Sequence, residues 1–224
     1  RLRDDSLIIK NSVSALTYLM TKHKKAPPLK ELTQDGAKLL LGYKDDPKVI
    51  RNLMEQIVKK YKNKLLGKFI GTAIIKCYKK SNPDEQSIWN SDVSRLTYII
   101  KELIGKKGES VWVMDKKGIT VEKYIITPVL NFILPLLRKY VADLHKDNMD
   151  YSDSSRNSRN LKYMKTADLL IADIQSGEAN RAVSRYISAH LQINLHNNLK
   201  NKIITNDAIS SDDSNSYDDY SFDS

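Results

Sequence analysis

Cysteine is nearly absent: Cys77 is the only one in 224 residues. An intramolecular disulfide is therefore impossible, and a zinc site built from several cysteines of one chain is excluded. Glycine and proline are also scarce, at 8 and 6 residues. A β-sandwich or barrel needs many more turns than that supply allows. Long hydrophobic runs are missing as well. The most apolar stretch, Tyr124 to Leu137, is interrupted by Thr127, Pro128, Asn131 and Pro135. It reads as too short to cross a bilayer, so no membrane span is expected. No secretory signal is visible. The chain begins at Arg1 rather than Met, and further residues are expected ahead of it.

Base is the last absence, and it is local. The final lysine is Lys202, and after it come Asp207, Asp212, Asp213, Asp218, Asp219 and Asp223 among Ser, Asn, Tyr and Phe. The whole chain holds 37 Lys+Arg against 27 Asp+Glu, a net +10. Six of those acids lie in the tail, so residues 1–206 carry 37 bases against 21 acids, or +16. A basic body with an acidic tail is organised for interaction. Tyr217, Tyr220 and Phe222 favour a tail that docks on a partner, because a purely solvating tail needs no aromatics. Asp212, Asp213, Tyr217, Asp218, Asp219, Tyr220 and Phe222 are the expected partner-binding residues.

Hydrophobic residues make up 41% and charged residues 29%, near ordinary globular usage and enough for a good core. The pattern predicts a mainly α fold of about seven helices with one small β-hairpin. A first helix spans Asp4 to His23, and a short one or two fall within Pro28 to Tyr43. Asp46 is a good N-cap and Pro47 suits the first helical position. Ile50, Leu53, Ile57, Tyr61, Leu65, Phe69, Ala73 and Cys77 follow at spacings of three and four, predicting one long helix or two in line over Pro47 to Lys79. Gly67 and Gly71 are its expected break or close-packing points. On that seam Cys77 is expected to be a buried small hydrophobe.

Asn90 or Ser91 is expected to cap a helix stopped by Gly105. Ser110 to Met114 and Ile119 to Tyr124 are β-rich and flank Asp115 to Gly118, a plausible hairpin. Thr127 and Pro128 open a helix running to about His145, kinked at Pro135. The expected organisation is a helical core over 1–146, a Ser/Asp/Asn-rich linker over 147–160, a helical pair over 161–206 and the acidic tail over 207–224.

No catalytic constellation emerges, and no enzyme is expected. His190 and His196 are six apart, about 120° around a helix, whereas helical metal pairs stand three or four apart. Glu102, Glu109, Glu122 and Asp168 cannot be placed as an acid–base pair. Gly105-Lys106-Lys107-Gly108 lacks the strand–loop–helix context and Lys-Ser/Thr ending of a phosphate loop. No metal and no cofactor are expected.

The expected function is a non-enzymatic structural or adaptor subunit that contacts other protein subunits of a larger assembly through basic helical faces and the acidic tail. Its basic face comprises Lys59, Lys60, Lys64 and Lys68, with Lys116 and Lys117 at the hairpin tip. The Lys-, Asn-, Ile- and Tyr-rich composition resembles that of proteins from AT-rich genomes, large DNA viruses among them, which extends the expectation to a minor virion (capsid) protein. The setting is then an intracellular reducing compartment or a virion. The alternative is a helical nucleic-acid-binding protein of winged-helix type. There the helix from Ser91 to Gly105 enters a groove, Arg95 and Lys101 face the bases, Lys116 and Lys117 touch phosphates, and the tail is autoinhibitory.

Overall fold

A computed structural model of the chain describes residues 13–104, 108–148 and 154–193. The chain divides after Gln192 into two units, and every described residue but Ile193 belongs to the first. Among the described residues the fold is mainly α, with seven helices and one small antiparallel sheet. In chain order these are α1 (13–22), α2 (Gln34–Leu41), α3 (Pro47–Lys62), α4 (Leu66–Tyr78), β1 (Ile88–Asp92), β2 (Thr97–Ile104), β3 (Glu109–Asp115), α5 (119–148), α6 (Ser154–Ser176) and α7 (Glu178–His190).

Helix α3 starts where its cap chemistry predicts. The Asp46 carboxylate accepts from the amides of Lys48 and Val49 at 2.8 and 3.1 Å, with Pro47 in the first turn. Three lysines in the last turn complement the negative end of the helix dipole. The seam then breaks at Asn63–Leu65, where Lys64 adopts φ 59°. Gly67 and Gly71 are not the break. They sit inside α4, where a Cβ on Gly67 would run into the Ala182 carbonyl of α7 and one on Gly71 into the Tyr186 ring. The missing side chains let the two helix backbones approach. Cys77 is exposed, against expectation. The break at Asn63 turns α4 relative to α3, so the seam does not continue in phase to its end.

The centre of the chain departs most from the expectation. Ser91 to Gly105 does not form a helix; its described part forms the end of β1, a turn and β2. Strand order is β1-β2-β3, all antiparallel, with Ile88 opposite Ile100 and Tyr98 opposite Asp115. The Asp92 carboxylate accepts from the amides of Ser94 and Arg95 and from the Ser94 hydroxyl, an Asx-type turn that stops helix propagation and closes the hairpin. The Thr97-Tyr98-Ile99-Ile100 run suits a strand, and these residues are all buried. Lys101, expected on an exposed face, is 4% exposed. Its ammonium donates to the Lys24 carbonyl at 3.1 Å and lies 5.5 Å from the centre of the Trp112 ring. Burial pushes its pKa down.

The β-rich run after Gly118 is helix rather than the second arm of a hairpin. Asp115 explains it: its carboxylate accepts from the amides of Thr120 and Val121 at 3.1 and 3.0 Å, satisfying a helix start. Lys116 and Lys117 therefore occupy a strand-to-helix turn. Helix α5 passes through Thr127 and Pro128 instead of beginning there. Pro128 has no N–H to give the Tyr124 carbonyl four residues back. That carbonyl accepts instead from the Leu32 amide at 2.8 Å, and the backbone widens to a π turn over Glu122–Ile126. At Pro135 the residue four back, Asn131, is exposed. By length and composition 116–148 is apolar enough to cross a membrane. Its Val129, Ile133, Leu137, Tyr140 and Leu144 belong to the core shared by the described elements.

Helix α6 begins at Ser154, within the segment read as linker. Its Asn160, Met164, Ala167, Leu170 and Ile174 are buried. Helix α7 adds Ala179, Val183 and Ile187 to the same core. Each fully buried isoleucine or leucine contributes about 1.5–3 kcal/mol. Some buried polar groups are matched: Asn180 donates to Glu122 and Thr127 of α5 at 2.9 and 3.0 Å, and the Tyr98 hydroxyl donates to the Ser184 carbonyl. The Asn90 side-chain amide and the Tyr140 hydroxyl have no hydrogen-bond partner among the described residues. The Asn90 backbone amide donates to the Leu191 carbonyl, tying the end of α7 to β1.

Candidate interaction surface

The lysines expected on one basic face are divided among three concavities, set by where α2, α6 and α7 pack against α3 and α4. Lys60 and Lys68 line a groove between α2, α3 and α4. Lys59 lines a pocket between α3 and α6. Lys64 lines a cleft bordered by α6 and α7. Lys116 and Lys117 line none of these. The expected partner-binding residues Asp212, Asp213, Tyr217, Asp218, Asp219, Tyr220 and Phe222 lie outside the described residues, as do His196 and Gly105-Lys106-Lys107.

The groove has a volume of about 730 Å³. Its walls follow from local sequence. Helix α2 is capped by the Thr33 hydroxyl, which accepts from the Gly36 amide at 3.1 Å, and it stops at Gly42. Only eight residues long, it buries Ala37 and presents Leu39, Leu40 and Leu41 along the groove. Leu39 is 83% exposed and Leu65 40%. Leu53, Phe69 and Ala73 continue the apolar lining, and Lys60, Lys68 and Lys76 supply the charge; no acid lines it. Apolar walls with lysines at the rim suit an amphipathic acidic segment.

The α3–α6 pocket is smaller, about 290 Å³, and wholly basic. Lys59, Lys62, Arg159 and Lys162 line it with Asn63, Tyr163 and Thr166, and again no acid is present. The neighbouring cleft, about 500 Å³, is balanced: Lys62 and Lys64 face Asp173 and Glu178. Asp173 accepts the Tyr61 hydroxyl at 2.6 Å, and burial together with this bond pushes the Tyr61 pKa up to about 12.

Lys76, Leu39, Arg159 and Lys162 were not singled out from the sequence. Lys76 follows Lys68 by two helical turns, a signal that was readable. Arg159 belongs to the Ser/Asp/Asn-rich segment whose composition resembles a linker. Among the described residues no group of three His, Cys, Asp or Glu side chains could hold a metal ion. The helix that a winged-helix reading would place in a DNA groove is a buried strand. The chain matches no protein-family model, no curated protein and no solved structure.

Proposed function

We propose that this chain is a non-enzymatic structural or adaptor subunit of a larger protein assembly, and that the α2–α3–α4 groove receives an acidic segment with apolar anchors from a neighbouring protein. One observation carries the reading: three lysines and no acid surround an apolar groove in which Leu39 stays 83% exposed. Covering a leucine that folding leaves in water gains hydrophobic free energy on binding. The lysines favour acidic partners and disfavour basic ones. A nucleic acid would use the lysines but leave the leucines uncovered.

The test is fluorescence anisotropy on the full chain with three probes. One is a labelled peptide of the sequence 207–224, which combines six aspartates with Tyr217, Tyr220 and Phe222. The second is the same peptide with those three aromatics changed to Ser. The third is a single-stranded oligonucleotide. The expected order is aromatic peptide tightest, with loss of the aromatics costing about tenfold or more, as anchor residues do. Tightest binding of the oligonucleotide, with the two peptides equal, would replace this reading with the nucleic-acid one.

A further inference from the structure

The α3–α6 pocket lies apart from the groove, and its chemistry is different. Lys59 and Lys62 come from the last turn of α3, and Arg159 and Lys162 stand one turn apart on α6. None of the four makes an ion pair with a described residue. Of the acids on the same two helices, Glu55 faces Arg51 at 3.5 Å, Asp173 holds Tyr61, and Asp168 is exposed and does not line the pocket. Four like charges thus converge on about 290 Å³ with no counter-charge in the lining. That is space for roughly ten waters at ~30 Å³ each, near the lower end of small-ligand pockets, about 300 Å³. Like charges brought together repel, and the arrangement is relieved by an anion of matching charge.

We infer that this pocket binds a chain of linked phosphoryl groups. A single carboxylate or phosphate would leave most of the four charges uncompensated; two or three linked phosphates match them. Arg159 offers the planar, bidentate donor geometry that phosphate oxygens accept, and the lysines act as adjustable point charges. The Tyr163 hydroxyl and the Asn63 amide supply uncharged donors at the wall. The Thr166 hydroxyl already donates to the Lys162 carbonyl at 2.8 Å and is left only as an acceptor, so it takes no part. The inference does not rest on the groove, which shares none of these residues.

Isothermal titration calorimetry on the full chain tests it, with inorganic tripolyphosphate, inorganic phosphate and a single-stranded oligonucleotide as separate ligands. Tripolyphosphate should bind at one site and tighter than inorganic phosphate. Arg159→Gln with Lys162→Gln, both at exposed positions, should weaken it at least about tenfold, as loss of charge-assisted bonds does, with the melting temperature retained. Lys116→Gln with Lys117→Gln should leave it unchanged. If the oligonucleotide loses affinity by the same factor in the pocket variant, the phosphates come from a nucleic-acid backbone. If only tripolyphosphate responds, the source is a free oligophosphate. Absence of tripolyphosphate binding, no loss in the pocket variant, or equal loss in the Lys116/Lys117 variant would overturn the inference.

Discussion

The two sides of α4 are built to opposite rules. Toward α7, Gly67 and Gly71 remove side chains altogether so that the helices touch through backbone. Toward α2, the same helix leaves Lys68, Lys76 and Cys77 around an open groove, with Leu65 just before its start and Leu39 across from it. The first side is spent on the fold. The second keeps apolar surface in water, which lowers stability unless something covers it. Separate sides imply separate phenotypes, and four variants test that division.

The largest effect belongs on the packed side. Gly67→Ala drives a Cβ into the Ala182 carbonyl, which is backbone and cannot swing away. A cost of about 3 kcal/mol or more is expected, roughly 10 °C in melting temperature for a chain of this size. Circular dichroism melts would show it; an unchanged melt would remove the close-packing account. Next, Lys60→Glu, Lys68→Glu and Lys76→Glu together should weaken the 207–224 peptide about hundredfold while melting moves by only a few degrees, since exposed charges contribute little to folding. Loss of fold and binding together would erase the distinction between the two sides.

Smaller effects sharpen the comparison at the break between α3 and α4. Tyr61→Phe removes the bond to Asp173 and should cost about 1 kcal/mol. Its pH dependence has a definite sign. The folded pKa, about 12, lies above the unfolded value of about 10. The stabilisation is therefore complete below about pH 10 and lost as pH rises toward 12. Denaturant melts across that window should show a shallower alkaline loss in Tyr61→Phe than in the wild type. Last, Lys64 holds φ 59°, a region that strains an L side chain. Lys64→Gly should stabilise by about 0.5–1 kcal/mol, the relieved strain partly offset by unfolded-state entropy. Peptide affinity should hold, because Lys64 does not line the groove.

The parts of the fold that were readable from sequence have local causes. Asp46-Pro47 fixes the start of α3 by a side-chain bond within the same turn, and the three-and-four spacing fixes its buried face. The misread parts depend on distant or competing groups. Val93, Leu96, Ile100 and Leu103 satisfy helical spacing as well as the strand does, and the Asx turn at Asp92 decides between them. Ile119 to Tyr124 has strand propensity, but the Asp115 carboxylate and the buried Val121, Ile125 and Ile126 hold it helical. Of the candidate surface, the lysines of α3 and α4 were legible as charge. Their division into a groove and a pocket was not, because it follows from where α2 and α6 pack.

Cys77 provides the most direct measurement, since it is the only thiol in the chain, is exposed, and lines the groove. An environment-sensitive fluorophore attached there reports occupancy of the groove itself. Titrating the 207–224 peptide into the labelled full chain should give a saturable blue shift that disappears in the Lys60→Glu, Lys68→Glu, Lys76→Glu variant. Peptide binding seen by anisotropy with no change at Cys77 would place the contact elsewhere and contradict the assignment of this side of α4 to a partner protein.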